Sequence, residues 1–172
     1  NLVFTYDSDG VTMEYTGYDG SHIKQTDVNM LAYPLGVVTD PQQTLRDINY
    51  YFDRIDPNGP AMSNAIIAVL HARLGDPETA FKVFKKSYTD KLRPPFGVLS
   101  ENANNSRVSF ATGLGGILQS VIFGFAGVDI TENGIVQLPT RLPSHWKSLT
   151  VTGVGVDKQT FRVENPDYKT TK

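Results

Sequence analysis

The chain has 172 residues, 40% hydrophobic and 20% charged, and sixteen basic against eighteen acidic residues leave a net charge of −2. That suffices for one hydrophobic core, or one core with a small appendage. No basic stripe points to nucleic acid and no basic amphipathic helix to a membrane surface, and the absence of cysteine excludes disulfide and thiolate chemistry.

No apolar run is long enough to span a membrane, and the first residues do not read as a signal peptide. Three scattered histidines, His22, His71 and His145, lack metal-ligand spacing. No metal or other cofactor is expected. The sequence starts at Asn1, so a piece of a longer protein is expected. An Asn104-Asn105-Ser106 triplet matches a glycosylation sequon, a pattern common by chance.

Residues 1–26 are mixed. "NLVFTY" and "VTMEYTGY" are predicted strands, with turns at Asp9-Gly10 and Asp19-Gly20. From Asp27 to about Val128 the pattern is helical. "DVNMLAYPLGVV" is apolar almost all round, with Asp27 as a cap and a kink at Pro34. "PQQTLRDINYYFDRI" instead carries one stripe, Leu45, Ile48, Tyr51, Phe52 and Ile55. "AMSNAIIAVLHARLG" is again apolar nearly all round and ends at Gly75. "DPETAFKVFKKSY" is amphipathic, capped by Asp76, with Ala80, Phe81, Phe84 and Tyr88 inward.

A long loop, "PPFGVLSENANNSRVSFATGLGG", follows from Pro94. Loops of this length are functional or disordered, and Phe96, Val98, Leu99, Val108 and Phe110 argue for order. Then "TGLGGILQSVIFGFAG" is apolar on every side. Its glycines Gly113, Gly115 and Gly116 match no phosphate-binding fingerprint and are read as close helix packing.

The helices therefore alternate: buried, amphipathic, buried, amphipathic, buried. A helix apolar all round must be covered on all sides, and one-faced helices cover it. This is the pattern of an α/α toroid with an inner and an outer layer. Five helices do not close six pairs, so the chain reads as a toroid's last part. After Gly127 short strands are predicted in "GIVQL", "SLTVTGVGV" and "QTFRV". The fold class is mainly α, with residues 1–128 a partial barrel and 129–172 a small β segment.

In such a toroid the loops entering the inner helices gather at one end. Here these are "HIKQTD", "DPNGP" and "LSENANNSRVSFAT". Helix N-termini there favour anionic or oxygen-rich ligands. Glu101 is expected at the mouth of a pocket shared with Lys24 and Gln25. Each also has a plainer reading: Glu101 as a solvated loop carboxylate, Lys24-Gln25 as a surface pair, His71 as a core histidine, Tyr50 and Tyr51 as packing residues.

"IKQTDVNMLAYPL", "GPAMSNAIIAVLHARLGD", "FGVLSENANN" and "FATGLGGILQSVIFGFAGV" together resemble the C-terminal part of glycoside hydrolase family 65, over about residues 10 to 165. The resemblance implies an (α/α)6 barrel followed by a small β-domain. It also implies cleavage of α-linked glucose disaccharides with inversion, by water or phosphate. The family's Lys-Gln pair matches Lys24-Gln25, which would hold glucose in subsite −1. The general base of members resembling kojibiose hydrolase and acid trehalase matches Glu101 in Ser100-Glu101.

Phosphorylase members carry a histidine before a Thr-Ser helix start. "RVSFATGLGG" has none, which counts against phosphorolysis. A carboxylate beside the attacking group would repel phosphate but deprotonate water. The family's general acid has no match here, since neither Glu14 nor Asp19 fits its motif. The chain alone is therefore expected to be inactive, with half an active site. Its implied partners are a small α-glucoside and either a missing N-terminal part or a second copy. The resemblance also favours a periplasmic or secreted protein. The alternatives are a disaccharide phosphorylase of the same family and a non-catalytic carbohydrate-binding α/α module.

Overall fold

The computed structural model describes residues 3–104 and 109–168. Among the described residues five helices carry the architecture: α1 (Asp27–Met30), α2 (Pro41–Phe52), α3 (Met62–Arg73), α4 (Pro77–Lys86) and α5 (Ala111–Gln119). The last continues as a π-helical stretch, Ser120–Phe125. Three two-stranded antiparallel sheets accompany them among the described residues. They pair β1 (Leu92–Arg93) with β2 (Val98–Leu99), β3 (Val128–Thr131) with β4 (Gly134–Gln137), and β5 (Ser148–Val154) with β6 (Gln159–Glu164). The chain is mostly helical with small sheets, an arrangement compatible with part of a helical barrel.

Helix α3 is the centre. Ser63, Ala65 and the run from Ile67 to Ala72 are all buried. Its C-terminus closes as the sequence predicts. Gly75 adopts φ +81°, its N–H reaches the Ala72 carbonyl at 3.1 Å, and the Asp76 N–H reaches His71 at 3.0 Å. Asp76 then caps α4 by accepting from the Thr79 N–H at 3.1 Å, and Pro77 starts the helix. Helix α4 lays Ala80, Val83 and Phe84 on α3. His71 is buried, and its long contact with Asp76, 3.9 Å, does not prevent burial from lowering its pKa.

Helix α5 meets α3 through small residues. A Cβ on Gly113 would lie 2.8 Å from Leu99 and 3.1 Å from Ala61, and one on Gly116 would lie 2.9 Å from the Ala65 Cβ. Gly124 sits where a Cβ would be 3.3 Å from Val69 Cα. The Ser120 hydroxyl donates within the same seam to the carbonyls of Ala65 and Gly116, each at 3.0 Å. Close packing thus accounts for Gly113 and Gly116. Gly115 has open space around it and plays no part in the seam.

Several expectations need correction. The first buried helix is a single turn. Pro34 has no N–H to offer Met30 and disfavours helical geometry at Tyr33. The chain curls back instead, with Leu35 N–H on the Met30 carbonyl and Val37 and Val38 N–H on Leu31. In α2 the buried face holds Thr44, Asp47, Ile48 and Tyr51, while Leu45 is exposed. The stripe is rotated because Asp47 is taken inward by the N-terminal segment. Its carboxylate accepts from the Thr12 N–H, the Thr12 hydroxyl and Gln43, each at 2.9 Å.

That engagement also explains the missing N-terminal strands. Among the described residues, only an isolated bridge, Tyr6 with Thr12, forms there. The turn glycines Gly10 and Gly20 do take positive φ. Phe96 lies in the β1–β2 turn and is exposed, Leu99 is buried, and Val108 lies outside the described residues.

Helix α5 is not covered on every side. Leu118 is 60% exposed and Leu114 45%. No described element lies over that face, and Leu35 and Val37 are exposed as well.

The β segments share the helical core. Trp146 packs at a tilt against Phe125 and edge-on against Phe81, with ring centroids 5.0 and 5.5 Å apart. Leu142 and Val163 join the same cluster. Strands β4, β5 and β6 fall where the sequence places them; β3 begins where the helical pattern was expected to end.

Gly116→Val should lower the stability of the intact protein by about 1–3 kcal/mol through overpacking of the seam. Gly115→Ala, in open space mid-helix, should instead be neutral or stabilise by up to about 1 kcal/mol. Thermal unfolding of both variants checks this, and equal losses would refute the packing role.

Candidate active site

The loops entering α1, α3 and α5 meet at the N-terminal end of α3. Ile23 forms a parallel bridge with Ile55, its N–H on the Arg54 carbonyl at 2.8 Å and its carbonyl on the Asp56 N–H at 2.9 Å. This lays the Lys24-Gln25 segment beside the loop before α3. Gly59 permits the approach. A Cβ there would lie 2.7 Å from the Asp56 carbonyl and 3.4 Å from that of Lys24. The Ser63 hydroxyl reaches the Lys24 carbonyl at 3.5 Å.

The Glu101 loop is fixed by its backbone. The Glu101 carbonyl accepts from the Ala61 N–H at 3.0 Å, at the start of α3. Ser100 is fully buried; its N–H and hydroxyl bond the Lys91 carbonyl at 2.9 and 3.0 Å, and its hydroxyl also reaches Asn102. Arg93 holds the carbonyls of Asn102 and Ala103. Asn104 donates to Asn58 at 2.6 Å, tying this loop to the one before α3. The remainder of the sequon, Asn105 and Ser106, lies outside the described residues.

A cavity of about 170 Å³ opens where the three helix starts meet. Gln25 and Thr26 line it from the α1 side, Met62, Ser63 and Ile66 from α3, and Thr112 and Gln119 from α5. Of the three residues singled out from sequence, only Gln25 lines this cavity. Lys24 is exposed beside it, and Glu101 is half-buried on the neighbouring loop. The structure therefore unites the backbones of all three at the end of α3, and the side chain of one with the cavity.

Sequence reasoning missed Gln119 at the edge of this cavity, whose lining is otherwise mostly apolar, with Met30, Pro34, Met62 and Ile66. The Tyr33 hydroxyl donates to the Gln119 Oε1 at 2.8 Å. Burial raises the Tyr33 pKa to about 12, so the hydroxyl stays a donor at neutral pH. This orients the Gln119 amide with its NH2 left to donate elsewhere. The available signal was one amide in an otherwise apolar helix. Ser63 and Thr112 add the hydroxyl groups in an otherwise largely apolar lining.

A larger cavity, about 630 Å³, borders the same loop before α3 through Asp56, Gly59 and Pro60 and extends to the C-terminal ends of α2 and α4. Lys82, Lys85, Lys86 and Lys91 line it together with Asp53, Asp56 and Asp90. Those charges nearly balance, and the lysines of the last α4 turn complement its exposed carbonyls. Size therefore does not outweigh convergence, and the smaller cavity is the better site. Tyr51 is fully buried, its hydroxyl donating to the Thr12 carbonyl at 2.8 Å, which makes it a packing residue.

Comparison with known proteins agrees with the motif-based resemblance. No protein-family model matches the chain. It is 50% identical over 157 residues to a kojibiose hydrolase from Mucilaginibacter mallensis, covering 91% of this chain and 23% of that protein. It is 47% identical over 156 residues to a kojibiose hydrolase from Flavobacterium johnsoniae, covering 90% and 23%. It is also 33% identical over 135 residues to the periplasmic acid trehalase of Saccharomyces cerevisiae, covering 70% and 11%.

The chain is thus related over most of its length to glycoside hydrolases, as its resemblance to glycoside hydrolase family 65 implies. Its nearer relatives among these bear the name kojibiose hydrolase. It spans about a quarter of their length. Among the described residues, no helix is long and apolar enough to cross a membrane.

Proposed function

We propose that this chain is the C-terminal part of an inverting α-glucoside hydrolase acting on a kojibiose- or trehalose-like disaccharide. Glu101 is the general base, and Lys24 and Gln25 hold the glucose of subsite −1. The observation carrying this reading is the meeting of the Lys24-Gln25 and Ser100-Glu101 loops on the start of one buried helix. The chemistry agrees. A lysine ammonium donates to sugar hydroxyls, and a glutamine amide both donates and accepts. A loop carboxylate whose backbone is anchored can deprotonate a water without moving far. The names of the relatives supply the substrate class.

Inversion needs a second carboxyl group roughly 6.5–9.5 Å from the base, with water between. In this reading the general acid comes from residues upstream of this segment. Residues 1–128 form the last part of an (α/α)6 barrel and residues 129–172 a segment of a β-domain, the two sharing the Trp146 core. The uncovered α5 face, with Leu114 and Leu118, is where the remainder of the barrel closes. Two relatives are named as periplasmic and cell-wall acid trehalases, which supports export from the cytoplasm.

Glu101→Gln in the intact protein should lower kcat by several orders of magnitude while leaving KM within about threefold, since only the base is lost. Activity within about tenfold of the parent, about 1.4 kcal/mol of barrier, would remove Glu101 from this role.

Hydrolysis should proceed equally well with and without inorganic phosphate. Phosphate-dependent release of glucose 1-phosphate would convert the reading to the phosphorylase alternative.

Residues 1–172 expressed alone should self-associate or unfold non-cooperatively and should not hydrolyse the sugar. Wetting an apolar face of several large side chains, each worth about 1.5–3 kcal/mol, rivals a domain's net stability of about 5–15 kcal/mol. Light scattering, thermal unfolding and a glucose-release assay decide this. A cooperative monomer that hydrolyses the disaccharide would place the general acid within the chain.

A further inference from the structure

The Glu101 loop has little regular structure of its own to hold it. Strands β1 and β2 pair only Leu92 with Leu99 and Arg93 with Val98, and this pairing ends two residues before Glu101. Backbone outside such a ladder opens more readily than the elements beside it. A general base tolerates little movement, since a displacement of about 1 Å at a reacting group can cost about a hundredfold in rate. The chain therefore has to be fixed on both sides of Glu101.

Residues 90–93 do this twice. On the near side, the Ser100 N–H and hydroxyl bond the Lys91 carbonyl at 2.9 and 3.0 Å, and Ser100 is fully buried. On the far side the half-buried Arg93 guanidinium acts. Its Nη2 donates to the carbonyls of Asn102, at 3.0 Å, and Ala103. Its Nη1 donates to the carbonyls of Asp90, at 3.0 Å, and Leu92, at 3.4 Å. The guanidinium thus ties its own strand to the two residues that follow Glu101. These four partners are main-chain carbonyls, so the contact fixes the path of the loop. Between the two anchors, the Glu101 carbonyl takes the Ala61 N–H at 3.0 Å.

We infer that Arg93 is a positioning residue for the general base, clamping the main chain directly after Glu101 so that its carboxylate is held against the attacking water. This rests on the reading of Glu101 as the base. Arg93 acts here through backbone and transfers no proton. The task needs a fork. A guanidinium is planar, with donors fixed in direction on more than one edge, whereas a lysine ammonium is a single point of charge. Arg93→Lys keeps the charge but can serve only one side of the clamp. Arg93→Met keeps an apolar stem and serves neither.

The experiment uses the intact protein, with Glu101→Gln measured alongside. For the disaccharide, kcat should fall about tenfold in Arg93→Lys and about thirty- to a hundredfold in Arg93→Met. KM should stay within about threefold in both, since Lys24 and Gln25 belong to another loop. Rates are taken well below the unfolding temperature of each variant, where a loss of stability alone leaves kcat unchanged. Amide exchange of residues 100–104 should quicken by about five- to tenfold in both variants.

Parental kcat in Arg93→Met overturns the inference, and so does unchanged exchange in both variants. Parental kcat in Arg93→Lys with a loss in Arg93→Met assigns the effect to charge and overturns the clamp. If Glu101→Gln retains activity, the base reading fails and this inference falls with it. Should Arg93→Met fail to fold, Arg93→Lys decides: a tenfold fall in kcat with faster exchange sustains the clamp, and a parental value of either overturns it.

Discussion

Burial of most of α3, with Ser63, Ala65 and the run from Ile67 to Ala72 enclosed, is the constraint from which the remaining architecture follows. A helix apolar all round has no wet face, so each neighbour must supply an apolar surface at close range. Helix α4 does this with Ala80, Val83 and Phe84, and α5 does it by having almost no side chain at the contact. Gly113, Gly116 and Gly124 let one backbone approach the other, and Ser120 secures the seam with its hydroxyl. A small-residue seam is also specific. Few registers place three glycines and a serine opposite Ala61, Ala65 and Val69 at once.

The same constraint builds the site. Close packing of α1, α3 and α5 brings their N-terminal ends together, and the loops entering them have nowhere else to go. Their backbones then satisfy one another. The Glu101 carbonyl takes the Ala61 N–H, the Lys24 carbonyl takes the Ser63 hydroxyl, and Ile23 bridges Ile55. The polar loops are thereby held by main-chain bonds, which leaves side chains such as Gln25 available to the cavity. Rigid backbone with uncommitted side chains is what a positioned binding site requires.

An uncovered face balances this account. Leu114 and Leu118 on α5 are exposed, whereas Gly113 and Gly116 on the other side of the same helix pack closely on α3. The relatives are about four times as long as the matched segment. The exposed α5 face and the partial coverage of the relatives are both consistent with the proposal that this segment packs against further protein.

Much was determined by the sequence alone, where local chemistry decides the outcome. The Gly75 cap, the Asp76-Pro77 start of α4, the buried character of α3 and the strands in "GIVQL", "SLTVTGVGV" and "QTFRV" depend on φ preferences, caps and periodicity within a few residues. The motifs also carried the family resemblance and drew attention to Lys24, Gln25 and Glu101.

Tertiary structure decided what depends on distant partners. Pro34 reduced α1 to a turn, because the surrounding carbonyls found acceptable N–H donors by curling back. Asp47 rotated the buried face of α2 because Thr12, thirty-five residues away, offered two donors. Gly113 and Gly115 are indistinguishable in sequence, and only the position of Leu99 and Ala61 makes one of them necessary.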